Sequence, residues 1–471
     1  MPNIIAYVVL LSWPIAAVVM FQRLPVERAV IWGILAPFMI LPSATGVDLP
    51  AVPAMDKTTL PNLMLLIMMI AHARQKIGFL PESVLGRVLL FLMVAGPFMT
   101  ALTNSDPLIF QAGYIPGLSI YDAVSSVAYA ILMIAPFIVA RNFLASRDSH
   151  RMLVKALVLS ALIYSVPMLF EIRMSPQLHN WIYGFYQHSF GQQMRAGGFR
   201  PMVMMSHGLT VAFFTMLAIG SATALWRASK SDQSLENGNW MIKLLFLLIL
   251  LILCKSLASL IYGLLAIVII AFCSIRTQLR LAALLALLAI LYPILRGAEL
   301  IPVETMVDLA RSYSEDRAAS LRFRFDNEAD LLARASERVL FGWGGWSRNH
   351  IHNPITGAET SITDGYWIIL IGSLGWVGFL ATFGLLALPI FRILRKASRD
   401  GEDAIPPETA ALCILLALVM VDLIPNAFIL PLSWLIVGSL LGFSERISET
   451  ADKSATKAEE AISTKRPRTV L

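Results

Sequence analysis

The sequence predicts an all-α polytopic membrane protein with about 12 or 13 transmembrane helices and a large helical loop outside the bilayer. Three observations carry this. The 471 residues are 57% hydrophobic and only 14% charged, against about 25% charged in soluble domains, and the mean hydropathy is +0.71. Apolar runs of roughly span length recur along the whole chain. Lys and Arg collect in alternate short connections, the pattern left by the positive-inside rule. The net charge of +6 therefore reports topology, and no nucleic-acid partner is expected. Cys254, Cys273 and Cys413 lie in or beside apolar segments and suggest neither a disulfide framework nor a zinc site.

The spans fall near 3–21, 28–42, 60–73, 86–103, 122–140, 153–171, 201–226, 240–254, 257–275, 281–296, 365–391, 408–425 and 427–443. The first run, Ile4 to Phe21, lacks a basic leader and a small-residue cleavage site and reads as a span. The second and third are short. Lys255 and Ser256 interrupt the run from Met241 to Phe272 and favour two helices joined by a tight turn. The loops holding Arg23/Arg28, Arg74/Lys76/Arg87, Arg141/Arg147/Arg151/Lys155, Arg227/Lys230, Arg276/Arg280 and Arg392/Arg395/Lys396/Arg399 are expected in the cytoplasm. The organisation is then an N-terminal bundle over 1–296 with an outer loop at 171–200, a large outer loop over 297–363, C-terminal helices over 364–443, and a polar tail over 444–471 expected to be disordered.

The two outer loops carry basic residues against the usual bias. In the longer one, Leu321, Phe325, Leu332, Ala335 and Val339 fall on one helical face, so an amphipathic helix is expected over 320–339. Arg195, Arg200, Arg322 and Arg324 form the first candidate constellation. Guanidinium groups bind phosphate bidentately, and beside a membrane they suit a lipid-linked diphosphate. Alternatively Arg324 pairs with Glu328, and Asp330 with Arg334, at i,i+4 spacing, while Arg195 meets lipid headgroups.

Asp364 opens the stretch TDGYWIILIGSLGWVGF, at a helix N-terminus whose dipole favours a carboxylate. It is either a proton acceptor for a sugar hydroxyl or part of an ordinary N-cap. Gly372, Gly375 and Gly378 recur every third residue and are read as structural, letting neighbouring helices approach closely. In FGWGGWSRNHIHN, Trp343 and Trp346 either stack on sugar rings or mark the membrane interface. His350 and His352 lack the further ligands of a metal site, so no metal is expected. Asp422 lies in an apolar run, facing the bundle interior or near the outer end of its span.

Together these residues resemble the O-antigen ligase and Wzy-type polysaccharide polymerase superfamily. That family places His, then Asn, Ser or Gln, nine residues, then Gly-x-x-Gly where its large periplasmic loop enters a membrane helix. Asp364 and Gly365 stand at the first two positions, and Gly375 and Gly378 follow 11 and 14 residues after Asp364. RVLFGWGGW resembles the family's loop segment ending in Gly-x-Gly, and RAGGFRPM resembles its arginine-, glycine- and phenylalanine-bearing approach to an earlier helix. Asp364 for His and Gly365 for Asn/Ser/Gln depart from the ligase pattern and look more like exopolysaccharide polymerases of the superfamily.

The resemblance implies a bacterial inner-membrane glycosyltransferase acting at the periplasmic face. Its donor would be an undecaprenyl-diphosphate-linked oligosaccharide, with other polysaccharide export proteins as further partners. Asp364 would be the base and Arg195, Arg200, Arg322 and Arg324 the pool of cations for the diphosphate, with Arg195 and Arg324 the preferred pair. No cofactor is implied. The rival readings are a ligase to another acceptor, a transporter or flippase, and a non-catalytic export scaffold. Against a transporter, no internal repeat or matched pair of interrupted helices is visible.

Overall fold

The computed structural model describes residues 1–49, 52–72, 77–195, 197–230 and 232–446. The chain is an all-α polytopic membrane protein. Its helices are α1 (Ile4–Arg23), α2 (Val26–Ile40), α3 (Thr59–His72), α4 (Val84–Leu102), α5 (Ile120–Phe143), α6 (Arg147–Met174), the short α7 (Leu178–Tyr183), α8 (Gly208–Ser229), α9 (Trp240–Leu253), α10 (Leu257–Phe272), α11 (Ile275–Gly297), α12 (Val303–Arg311), α13 (Glu315–Ser336), α14 (Tyr366–Asp400), α15 (Pro407–Asp422) and α16 (431–446). Each of the thirteen expected spans falls on a helix. Among the described residues, seven (α1, α4, α5, α6, α8, α11 and α14) are long and apolar enough to cross a membrane by length and composition. Helices α2, α3, α9, α10, α15 and α16 have 14 to 16 residues. Exposed apolar side chains such as Val8, Leu11 and Ile15 on α1, and Val84, Val88 and Phe91 on α4, give these helices a face suited to lipid.

Helix α8 is buried all round, the mark of a central helix. The seventh expected span opens seven residues too early, because 201–207 is a polar-bonded turn. There Glu171 accepts from Met202 N and Val203 N at 2.8 and 2.7 Å. The run from Met241 to Phe272 breaks in two at Lys255, whose φ of 53° ends α9. Helix packing crosses residue 296. Helix α14 packs on α4 and α11, and α15 on α11 and α8, so one apolar core spans both halves.

A close helix–helix approach also lies away from the glycines named above. Gly438 and Gly442, four apart on α16, sit against the carbonyls of Phe137 and Arg141 on α5, the small-xxx-small pattern of membrane interfaces. At this short-loop end Arg141 pairs with Glu445 at 2.6 Å, and Arg151 with Glu408 and Asp232 at 2.8 and 2.7 Å. The tail expected from 444 is helical through 446. Residues 447–471, and Arg74 and Lys76 of an expected cytoplasmic loop, lie outside the described residues.

At the opposite, long-loop end the described residues include three small antiparallel hairpins that the apolar periodicity does not announce. They are β1 (Gly46–Leu49) with β2 (Val52–Asp56), β3 (Leu108–Phe110) with β4 (Gly113–Ile115), and β5 (Met194–Arg195) with β6 (Gly198–Phe199). The long loop holds two packed helices. Val307 of α12 meets Ala318 and Phe325 of α13. The expected amphipathic helix is α13, which begins five residues earlier and ends three residues earlier than expected. Phe325 and Ala335 are buried as expected, whereas Val339 lies beyond the helix and is exposed.

Candidate active site at the long-loop end

Two glycine-bearing stretches, far apart in sequence, meet here. Helix α14 is interrupted at Gly375, whose φ of 66° and ψ of −170° are open essentially to glycine. The segment Val339–Gly344 docks on the break through backbone bonds. Trp343 N donates to Gly372 O at 2.8 Å, Gly344 N to Ser373 O at 2.9 Å, Trp376 N to Val339 O at 2.9 Å and Val377 N to Leu340 O at 3.2 Å. A Cβ on Gly375 would run into the Leu340 carbonyl, and one on Gly342 would stand 2.6 Å from Gly375 N. The structural reading of Gly372, Gly375 and Gly378 therefore needs correcting in its partner. Gly375 admits the loop's backbone and Gly372 faces the Asn349 side chain of the same loop, whereas a Cβ on Gly378 would meet Leu374 of α14 itself, and α14 is not an unbroken platform.

The loop is fixed from its other side as well. Thr100 Oγ1 donates to Phe341 O at 2.7 Å and Asn104 Nδ2 to Gly342 O at 2.9 Å. Arg348 is fully buried. It donates to the carbonyls of Trp343, Pro116 and Asp106 at 3.2, 2.8 and 2.9 Å.

The connection after α15 sets the start of α14. Tyr366 N donates to Leu423 O and Asn426 O at 3.0 Å each, and Gly365 lies so close to the Ile424 carbonyl that a Cβ would collide with it. The N-cap position is Gly365 and no side chain caps the helix, so Asp364 does not take the ordinary capping role. Instead its Oδ2 lies 3.3 Å from Arg324 Nε, with both side chains partly exposed. One turn along α13, Glu328 is buried against α11. Tyr292 OH donates to it at 3.1 Å, and Arg296 Nε stands 3.6 Å away. Burial pushes the Glu328 carboxyl up to about 7, with the Asp364 charge adding to the effect. Arg296 also donates to Phe325 O at 2.9 Å, and Asn327 accepts from Ile362 N at 2.8 Å. Helix α13 is thereby tied to both α11 and the approach to α14.

The expected i,i+4 pairs do not form. Arg324 turns to Asp364 rather than Glu328, and Arg334 pairs with Glu337 at 2.7 Å. Arg322 is occupied by a bidentate pair with Glu304. Arg200 is buried and donates to Lys255 O at 3.0 Å, where desolvation lowers its pKa. Arg195 is exposed, and its carbonyl accepts from Lys255 Nζ at 2.9 Å. Of the four arginines the structure brings Arg324 to Asp364. The loop of Arg195 and Arg200 is held by the α9–α10 turn instead.

Trp343 is buried, with Arg334 Cζ 3.4 Å and Arg338 Cζ 4.3 Å from its ring and Nε1 donating to Arg334 O at 2.9 Å. Its faces are taken, which corrects the expectation that it stacks on a sugar. Trp346 stays exposed and lines an interior cavity. His350 lies 3.7 Å from Glu359, and His352 packs on Phe110. Asp422 is the last residue of α15, at the long-loop end, and accepts from Asn426 at 2.8 Å.

Arg296 and Tyr292 were missed by sequence reasoning, and Glu328 was named only as a partner for Arg324. Glu328 falls three residues after Phe325 and four before Leu332, on the apolar face. A lone acid there was the available signal. No protein-family model matches the chain, and no curated protein matches it significantly.

Proposed function

We propose that this chain is a glycosyltransferase that polymerises undecaprenyl-diphosphate-linked repeat units of an exopolysaccharide or O-antigen at the periplasmic face of a bacterial inner membrane. The observation that carries the reading is the docking of Val339–Gly344 on the Gly375 break. It joins the two motifs quoted for the family resemblance and leaves Asp364 beside Arg324, 3.3 Å apart, at the end of a membrane helix.

The chemistry follows from that pair. A donor diphosphate carries more charge than a carboxylate and draws the Arg324 guanidinium to itself, which frees Asp364 to accept the proton of an acceptor hydroxyl. The hydroxyl oxygen bonds to the anomeric carbon as the bond to the diphosphate oxygen breaks, and lipid diphosphate leaves with the electron pair. Arg324 stabilises the charge that develops on it. Arg195, exposed on the neighbouring loop, is the second cation. Arg296, Tyr292 and Glu328 hold α13 at the distance this requires.

Purified protein in nanodiscs, given a lipid-diphosphate-linked repeat unit, tests the reading. A ladder of products on a gel is expected. Transfer only when an acceptor glycolipid is added would make the protein a ligase. No transfer to either acceptor, from folded protein, would overturn the proposal.

A further inference from the structure

Helix α12 carries two apolar stripes, and only one of them is covered by the described residues. Val303, Val307 and Ala310, at i, i+4 and i+7, share a small core with Ala318, Leu321 and Phe325 of α13. Met306, Leu309 and Tyr313, at i, i+3 and i+7, form the second stripe and are 43%, 63% and 77% exposed. Tyr313 lies two residues past the helix but keeps its turn, since its N–H donates to Ala310 O at 3.1 Å. At about 100° per residue the second stripe is centred roughly 90° from the first and nearly opposite Glu304, Asp308 and Arg311. Those charges are engaged with one another and with α13. Glu304 pairs with Arg322, and Arg311 lies 2.7 Å from Asp308 and 3.6 Å from Glu315. One side of α12 is thus charged, one is core, and one is bare and apolar.

The place of α12 in the chain says what meets the bare side. Five residues, 298–302, join it to the end of α11, so it stays close to the bilayer surface. Helix α11 presents Leu284, Leu287, Leu288 and Ile294 as an exposed stripe, opposite the buried Ala282, Ala286 and Ala289. On a helix long and apolar enough to span, lipid covers such a stripe. Leu300, in the connection to α12, is exposed as well. A charged face set against a face of Leu, Met and Tyr is the composition of a helix lying in the plane of the interface, and a tyrosine suits the headgroup level. Four side chains are too few for a protein partner, which needs roughly 800 Å² on each side. A lipid leaflet requires no matched surface.

We infer that α12 is an interfacial helix, seated in the lipid leaflet on the long-loop side through Leu300, Met306, Leu309 and Tyr313. Its inner stripe then ties α13 to that leaflet, and with it the height of Arg324 above the lipid. The inference stands apart from the proposed function, and its test reads no activity.

The test places spin labels on the full chain in zwitterionic nanodiscs, with Cys273→Ser removing the one cysteine that is not buried. Labels at Met306→Cys and Leu309→Cys are expected to collide more with oxygen, which concentrates in lipid, than with a water-soluble nickel chelate, at a depth of about 5–10 Å. A label at Asp308→Cys, on the charged side of the same helix, should show the reverse preference. Leu300→Cys should share the oxygen preference and gives the answer if a label on α12 unsettles the helix. Nickel preference at 300, 306 and 309 would overturn the inference by placing the stripe in water. Low collision with both reagents would overturn it too, by showing a protein surface over the stripe.

Discussion

Asp364 and Arg324 are 40 residues apart in sequence and 3.3 Å apart in space. In its proposed role as proton acceptor, Asp364 would be worth about 10²–10⁴-fold, so Asp364→Asn is expected to lower turnover by that factor while the lipid-linked donor still binds, a split that kcat and KM report. Glu328 belongs to the same cluster but plays a different part. Its carboxyl rises from an ordinary 4.5 to about 7 by burial, so the folded protein holds this proton more tightly than the unfolded chain. Stability from this group is therefore fully present below pH 4.5 and falls as pH rises toward 7, by about 3 kcal/mol in all. Thermal melts across that range should show the decline in wild type and a flatter profile in Glu328→Gln; equal slopes would remove the buried-acid account. The two tryptophans separate in the same way. Trp343→Ala should lower stability by about 3–5 kcal/mol, read as a loss of melting temperature. Trp346→Ala should leave the melting temperature near wild type.

At the scale of elements, the seam between Val339–Gly344 and α14 is what fixes the site. Gly375→Ala places a side chain where φ is 66° and the Leu340 carbonyl leaves no room. The backbone conformation alone costs about 1–3 kcal/mol, and the collision adds to it. Limited proteolysis should cut the 339–345 segment faster in this variant than in wild type; unchanged cleavage would show that the seam does not depend on the break. The glycines at 372, 375 and 378 were legible as a structural set, since no catalytic group is carried by glycine. Their partner was not, because spacing on one helix cannot tell a helix from a loop as the thing that approaches. The close pair Gly438 and Gly442 had the more specific four-residue spacing and was passed over beside a longer glycine series.

At the scale of the molecule, hydropathy made legible each of the seven described helices that are long and apolar enough to cross a membrane, because a bilayer forces the backbone to pair internally and demands long apolar runs. The three hairpins were hidden, since strands of two to five residues have no periodicity to read. The candidate site was half legible. Asp364 and Arg324 were both named, but their pairing depends on the placement of α13, which Asn327, Arg296 and Glu328 set through contacts to α11 and to the segment before α14. The interior cavity left no trace in the sequence, because its lining comes from many separate elements.

The central claim is that Asp364 and Arg324 perform glycosyl transfer on a lipid-diphosphate donor. The most direct measurement compares wild type, Asp364→Asn and Arg324→Ala in nanodiscs with a lipid-diphosphate-linked repeat unit, after melts confirm that all three are folded. The account predicts a product ladder from wild type and its loss in both variants. An undiminished ladder from folded Asp364→Asn would contradict it and leave the carboxylate as a structural partner of Arg324.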